Sequence, residues 1–160
     1  RRPVHPHGPV CAEWLENQAR ATARLAAWWG YPNAPPTAPT RPPDTAGPAD
    51  RGGAVLCFTG GVDSFYSLLR DPEPLRAVAF VSGFDIDVRD VRAATIAATM
   101  VRRVARAIGI EAIVVTTDLR RHPTFRAESW ERSHGGALAA IAHLLADRFD
   151  AFRISATVPR

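Results

Sequence analysis

Residues 51–160 predict an α/β domain with a doubly wound, mostly parallel sheet and helices on both faces. Three observations lead there. Short apolar runs, each too brief for a helix, alternate with segments of helical period. The runs are continuous rather than alternating in polarity, as strands buried on both faces require. The first run meets Gly60-Gly61 just before a helix-like segment opens, the strand–turn–helix start of a βαβ unit.

The elements follow in order. Residues 1–50 carry 10 of the 14 prolines and read as a leader. Within it 1–10 is Pro/His-rich and irregular. Residues 12–29 read as a helix whose Trp14, Ala21, Leu25, Trp28 and Trp29 give a partial apolar stripe. Three tryptophans on one short helix are costly to leave in water, so it is expected to pack on a core or a partner. The Pro, Thr, Ala and Gly run at 31–50 reads as an extended linker, open to proteolysis. The domain then begins. Strand one is 54–58 and its helix 63–69, stopped by Asp71-Pro72. Strand two, 76–82, ends at Gly83. A long helix over 87–108 places Val88, Val91, Thr95, Ala98, Val101, Ala105 and Ile108 on one face and closes at Gly109. Strand three is 111–116. The third helix spans 133–148 with Leu138, Ile141, Ala142 and Leu145 inward, and strand four is 152–157.

Composition removes several function classes. All 20 basic residues are arginine, and the net charge of +4 suits polyanionic partners only weakly. No apolar run of about 18 residues exists, so no membrane span is expected, and without a secretory signal the cytoplasm is the default. Two cysteines cannot build a disulfide framework or a four-thiolate zinc site. Cys57 reads as a small core residue and Cys11 lies in the leader. His5 and His7 lack further ligands at metal spacing. A Walker A loop is excluded because the chain has no lysine. No RNA-binding motif interleaves the arginines, so tRNA is a conceivable partner without a motif behind it.

The run Thr59-Gly60-Gly61-Val62-Asp63-Ser64 resembles the Ser-Gly-Gly-x-Asp-Ser loop of the N-type ATP pyrophosphatases, with Thr keeping the first hydroxyl. That resemblance implies a Rossmann-like, adenine nucleotide α-hydrolase-like fold and a loop that grips the pyrophosphate half of ATP while AMP passes to a substrate oxygen. It also implies ATP and Mg²⁺ as cofactors. The physics agrees. A strand feeding a glycine turn into a helix start presents free N–H groups and the positive end of the helix dipole to an anion. Asp63 is either a Mg²⁺ ligand on the phosphates or a helix cap, and Ser64 can donate to a phosphate oxygen. By position in the family, Phe80, Val81, Ser82 and Gly83 would hold the adenine. The family includes asparagine, NAD and GMP synthetases, argininosuccinate synthase, 7-cyano-7-deazaguanine synthase and tRNA-modifying enzymes. The cysteine clusters of some members have no counterpart here.

Ligands of open parallel sheets sit outside the carboxyl ends of strands, which also points to 81–84, 116–120 and 155–158. Phe84 and Asp85 offer an aromatic ring and a carboxylate near a base, or a plain loop. Arg120 is a candidate catalytic residue that could clamp phosphate or carboxylate in bidentate fashion; Arg121 reads as solvated. Ser133 is expected to cap the third helix. His134 is either an acid/base or an ordinary helix-start residue, and His143 is structural. Glu128, Trp130 and Glu131 lie in a loop of about a dozen residues, a candidate lid over a small-molecule or nucleobase substrate or a flexible excursion.

The function expected is adenylation of a substrate oxygen with release of pyrophosphate, followed by attack of a nitrogen or sulfur nucleophile. A non-catalytic adenine-nucleotide-binding module is the alternative. In the resembled family the fold continues past a fourth strand, so the chain is expected to be truncated there. An open sheet edge would then invite a homo-oligomer.

Overall fold

The strands are the apolar runs, and their order follows from where the crossover helices are sent. The computed structural model describes residues 5–7, 10–30, 37, 52–70 and 74–155. The expected linker at 31–50 (Thr37 apart), the stop at Asp71-Pro72 and the end of strand four beyond Ser155 lie outside the described residues. The chain divides into two units, Arg1–Pro48 and Ala49–Arg160.

In the first unit, α1 is Ala12–Trp29, closed by Gly30 in the left-handed region. None of its residues is buried, and Trp28 is 65% exposed. Trp14, Leu15, Gln18, Thr22, Leu25, Ala26 and Trp29 are half-buried along one face, while Glu16, Arg20 and Arg24 are exposed on the other. Trp28 meets Trp29 edge-on at 6.1 Å, and Arg24 lies 5.9 Å from the Trp28 ring.

The second unit is an α/β fold with an all-parallel, four-stranded sheet. Its elements are β1 (Ala54–Cys57), α2 (Val62–Arg70), β2 (Leu75–Ser82), α3 (Val91–Ile108), β3 (Glu111–Thr116), α4 (Pro123–Ala127), α5 (Trp130–Leu145) and β4 (Ala151–Ile154). Strand order is β3-β2-β1-β4, every pairing parallel. The chain steps outward from β1 to β3, then returns to the far side of β1. With right-handed crossovers, this reversal must put α2 and α3 on one face and α5 on the other. The core divides that way. Leu56, Phe58, Val78 and Phe80 pack under Ala98, Val101 and Ala105 of α3, with Leu68 of α2 beside them. Val55, Ala77, Ala79 and Val81 pack under Ala137, Ile141 and Leu145 of α5. Val55, Leu56, Phe58, Val78 and Val101 are fully buried. At about 1.5–3 kcal/mol each, they make the end of β1 a fixed platform for the loop that follows.

Several boundaries differ from the sequence reading, among them the end of the third helix, at Leu145 instead of 148. The long helix begins at Val91, not Asp87, because Asp87 folds back on Arg89 (2.7 Å) and Asp90 Oδ1 caps the helix by accepting from Ala93 N at 2.9 Å. Its buried face is accordingly Ala98, Val101 and Ala105, while Val91 and Ile108 are exposed. The third helix begins at Trp130. Ser133 is thus inside it, its hydroxyl donating to Ser129 O at 3.1 Å instead of capping. The expected loop before it is a 3₁₀ turn, Leu119–Arg121, and α4, which starts with Pro123 and is capped by His122 Nδ1 accepting from Thr124 N.

Candidate functional site

β1 lies where the strand order reverses. To one side the chain proceeds through β2 and β3, and on the other it returns as β4. At such a switch point, the loops leaving neighbouring strands diverge to opposite faces and open a crevice beyond the carboxyl ends. An open cavity of about 540 Å³ occupies that place, bounded by the end of β1, the loop into α2, the end of β2, the start of α5 and the end of β4.

The loop is built by its own sequence. Phe58 N still donates to Ala79 O at 2.8 Å, so the chain leaves the sheet only at Thr59. Gly60 has φ +82, and a Cβ there would meet Met100 Cε at 2.1 Å, so glycine answers both a backbone and a packing demand. Ser64, almost fully buried, ties the turn: its hydroxyl donates to Gly61 O at 2.8 Å and accepts from Gly60 N at 3.1 Å. Thr59 Oγ1 accepts from Gly61 N at 3.4 Å. The first helical bond is Phe65 N to Gly61 O at 3.0 Å, leaving the amides of Val62, Asp63 and Ser64 without intrahelical acceptors. Phe65 meets Phe58 edge-on at 5.0 Å and fixes the angle at which α2 leaves.

Thr59, Gly61, Val62, Asp63, Ser64 and Val81 all line the cavity, so the loop and one residue of strand two are brought together. The other candidates are placed elsewhere. Phe80 is buried on the α3 face of the sheet. Ser82 is buried, with its carbonyl accepting from Thr117 N at 3.0 Å. Gly83 and Arg120 line a second cavity of about 400 Å³ with Arg89, Arg121 and Arg126. Arg120 is turned from the loop because its guanidinium donates to Phe84 O and lies 4.6 Å from the Trp130 ring centre. Among the described residues lining the first cavity, none is arginine. The hydroxyl of Ser64, read as a phosphate donor, is engaged inside the loop itself.

Five further lining residues complete the picture. Cys57, read from its apolar run as core, reaches the cavity as the last residue of β1. Its thiol is pushed up to about 11, first by burial and second by the charge of Asp85, so it is an uncharged group at neutral pH. The Oγ of Ser155, past β4, is buried on the cavity wall with no hydrogen-bond partner among the described residues. Trp130 and Phe84 meet edge-on at 5.1 Å, and His134 Nδ1 lies 3.0 Å from Trp130 O one turn back along α5. Only the position of Cys57 before the glycine turn hinted at its place. Trp130 and His134 were already candidates, although the helix holding them was set three residues late.

These features define an open parallel α/β domain with an open cavity at its switch point and a glycine loop on one wall. No protein-family model, curated protein or solved structure matches the chain. Among the described residues, no helix is long and apolar enough to cross a membrane, and no group of three or more His, Cys, Asp or Glu is disposed to hold a metal ion.

Proposed function

We propose that this chain binds ATP with Mg²⁺ in the switch-point cavity, the phosphates lying on residues 59–64, and that it adenylates a substrate oxygen with release of pyrophosphate. A nitrogen or sulfur nucleophile then displaces AMP. The observation that carries the reading is the union of a phosphate-type glycine loop with the switch point of a parallel sheet. Either feature alone is common; together they put free helix-start amides at the mouth of a ligand-sized cavity.

Charge accounting supports a metal-dependent ligand. A bare triphosphate on the loop would face the Asp63 carboxylate and no lining arginine. Backbone amides contribute only partial charge. A divalent ion on the phosphates, met by the exposed Asp63 carboxylate, supplies the balance, and Mg²⁺ bound to nucleotide phosphates needs only one or two carboxylates. The residues fit that group without a three-ligand protein cluster. The ion would offset charge developing on the leaving pyrophosphate, while the chain's amides orient the phosphates. Arg120, held against Phe84 and Trp130, positions the wall instead of clamping phosphate.

The second reading, a module that binds adenine nucleotide without turnover, is favoured by the same lack of a lining arginine. Pyrophosphate release from Mg·ATP in the presence of pooled carboxylic and amide acceptors separates them. Acceptor-dependent release supports the synthetase; saturable Mg·ATP binding with no release selects the module. No binding at millimolar Mg·ATP rejects both.

A further inference from the structure

The switch-point cavity has two chemically opposite walls, and only the loop wall is used by the nucleotide reading. That wall is rich in donors: the amides of Val62, Asp63 and Ser64, and the orphaned Ser155 hydroxyl. The opposite wall, made by Phe84, Asp85, Trp130 and His134, presents acceptors. Asp85 is exposed and makes no ion pair or hydrogen bond among the described residues, and an ionised carboxylate only accepts. For His134, a carbonyl oxygen cannot donate. The 3.0 Å contact to Trp130 O therefore places a proton on Nδ1, and in that tautomer Nε2 is the acceptor. The Trp130 ring adds a π-face that attracts cations, as the Arg120 guanidinium 4.6 Å from its centre already demonstrates.

We infer that this wall is a subsite for the nitrogen-donor end of a second small molecule, a primary ammonium, amidinium or guanidinium group held between the Asp85 carboxylate and His134 Nε2 against Trp130. A carboxylate or phosphate there would meet the Asp85 carboxylate as a like charge. A ligand with several N–H donors satisfies both acceptors at once, and a cationic one also offsets the Asp85 charge. The assignment of this molecule as the second substrate rests on the nucleotide reading; a primary ammonium held there would become the nucleophile only after passing a proton to the Asp85 carboxylate or His134 Nε2, which frees its lone pair to displace AMP. Its binding does not need nucleotide, so the two readings fail separately.

The test is to titrate the full chain, without nucleotide, with agmatine and with glutarate, following ¹⁵N amide shifts. Agmatine is expected to bind with shifts at residues 84–85 and 130–134, and glutarate not to bind there. Asp85→Asn is expected to weaken agmatine about 10- to 100-fold, Asp85→Glu to recover part of it, and His134→Leu to weaken it several-fold. Mg·ATP affinity in Asp85→Asn should stay within about twofold of the parent. Retention of the amide-shift pattern shows that each variant is folded. Unchanged agmatine affinity in Asp85→Asn, equal binding of glutarate, or no agmatine binding overturns the subsite. Parallel loss of Mg·ATP in Asp85→Asn also overturns it, since the wall would then belong to the nucleotide.

Discussion

Gly83 is the hinge between the sheet and the acceptor wall, and replacing it with alanine tests how tightly that corner is built. Its φ is +106, a region that costs an L-residue about 1–2 kcal/mol. A Cβ there would sit 1.8 Å from the Thr117 carbonyl oxygen. Carbon and oxygen approach no closer than roughly 3.3 Å even in favourable contacts, so the loops after β2 and β3 must part by about 1.5 Å. That separation breaks the Thr117 N to Ser82 O bond, now 3.0 Å, at a buried residue, adding about 1–3 kcal/mol. The sum is about 2–5 kcal/mol. Gly109→Ala is the internal control. Its φ of +74 carries the same kind of backbone strain, but a Cβ there has nothing within 4 Å, so only about 1–2 kcal/mol is expected. Urea unfolding followed by far-UV circular dichroism should place Gly83→Ala roughly 1–2 M below Gly109→Ala in midpoint at equal slope. Midpoints that coincide would refute the claim that the Thr117 carbonyl closes this corner.

Three further outcomes are expected. Asp63→Asn should weaken Mg·ATP binding about tenfold or more by calorimetry while costing less than about 1 kcal/mol of stability; unchanged Mg·ATP affinity would remove Asp63 from the site. Arg120→Ala should lower stability by about 1–3 kcal/mol through loss of the Phe84 carbonyl bond and the Trp130 contact. Its effect on Mg·ATP should be smaller than that of Asp63→Asn, and the reverse order would return Arg120 to the phosphates. Cys57 holds its proton to about 11 in the folded chain, so the unfolded chain ionises first as pH rises. Its contribution to stability is complete below the ordinary thiol range and is lost between about 9 and about 11, with the sign that linkage requires. Alkylation of Cys57 should stay slow until pH approaches that upper limit and begin at lower pH in Asp85→Asn. Rapid modification near neutrality would contradict the buried, Asp85-facing thiol.

The fold was legible because its signals are local. Apolar runs separated by helical periods force a parallel sheet; the first three formed strands within a residue of their expected ends, and the fourth, expected over 152–157, is paired over Ala151–Ile154. The glycine turn before Val62 marked the loop for the same reason. What stayed hidden depends on contacts between distant segments. Residues 122–129 hold few apolar residues and one proline, so α4 gives no periodic signal; it exists because His122 caps it and Phe125 packs onto the core. Arg120 offered the right chemistry for phosphate, but Phe84 and Trp130 capture its guanidinium, 36 residues back and 10 residues on. The strand-two residues divide by pleat. Val81 faces the cavity side while Phe80, one position earlier, points to the opposite core. Cys57 shows the converse: burial made it read as core, although the last residue of a strand at a switch point also floors the crevice.

The central claim is that residues 59–64 are a phosphate loop. The most direct measurement is a backbone ¹⁵N titration of the chain with ATP, with and without Mg²⁺. The account predicts saturable, Mg²⁺-dependent shifts led by the amides of Gly61, Val62, Asp63 and Ser64. Amides of the second cavity, Arg89 and Arg121 among them, should remain still. Shifts led by that arginine-rich cavity, or none at residues 59–64 with millimolar Mg·ATP, would contradict it.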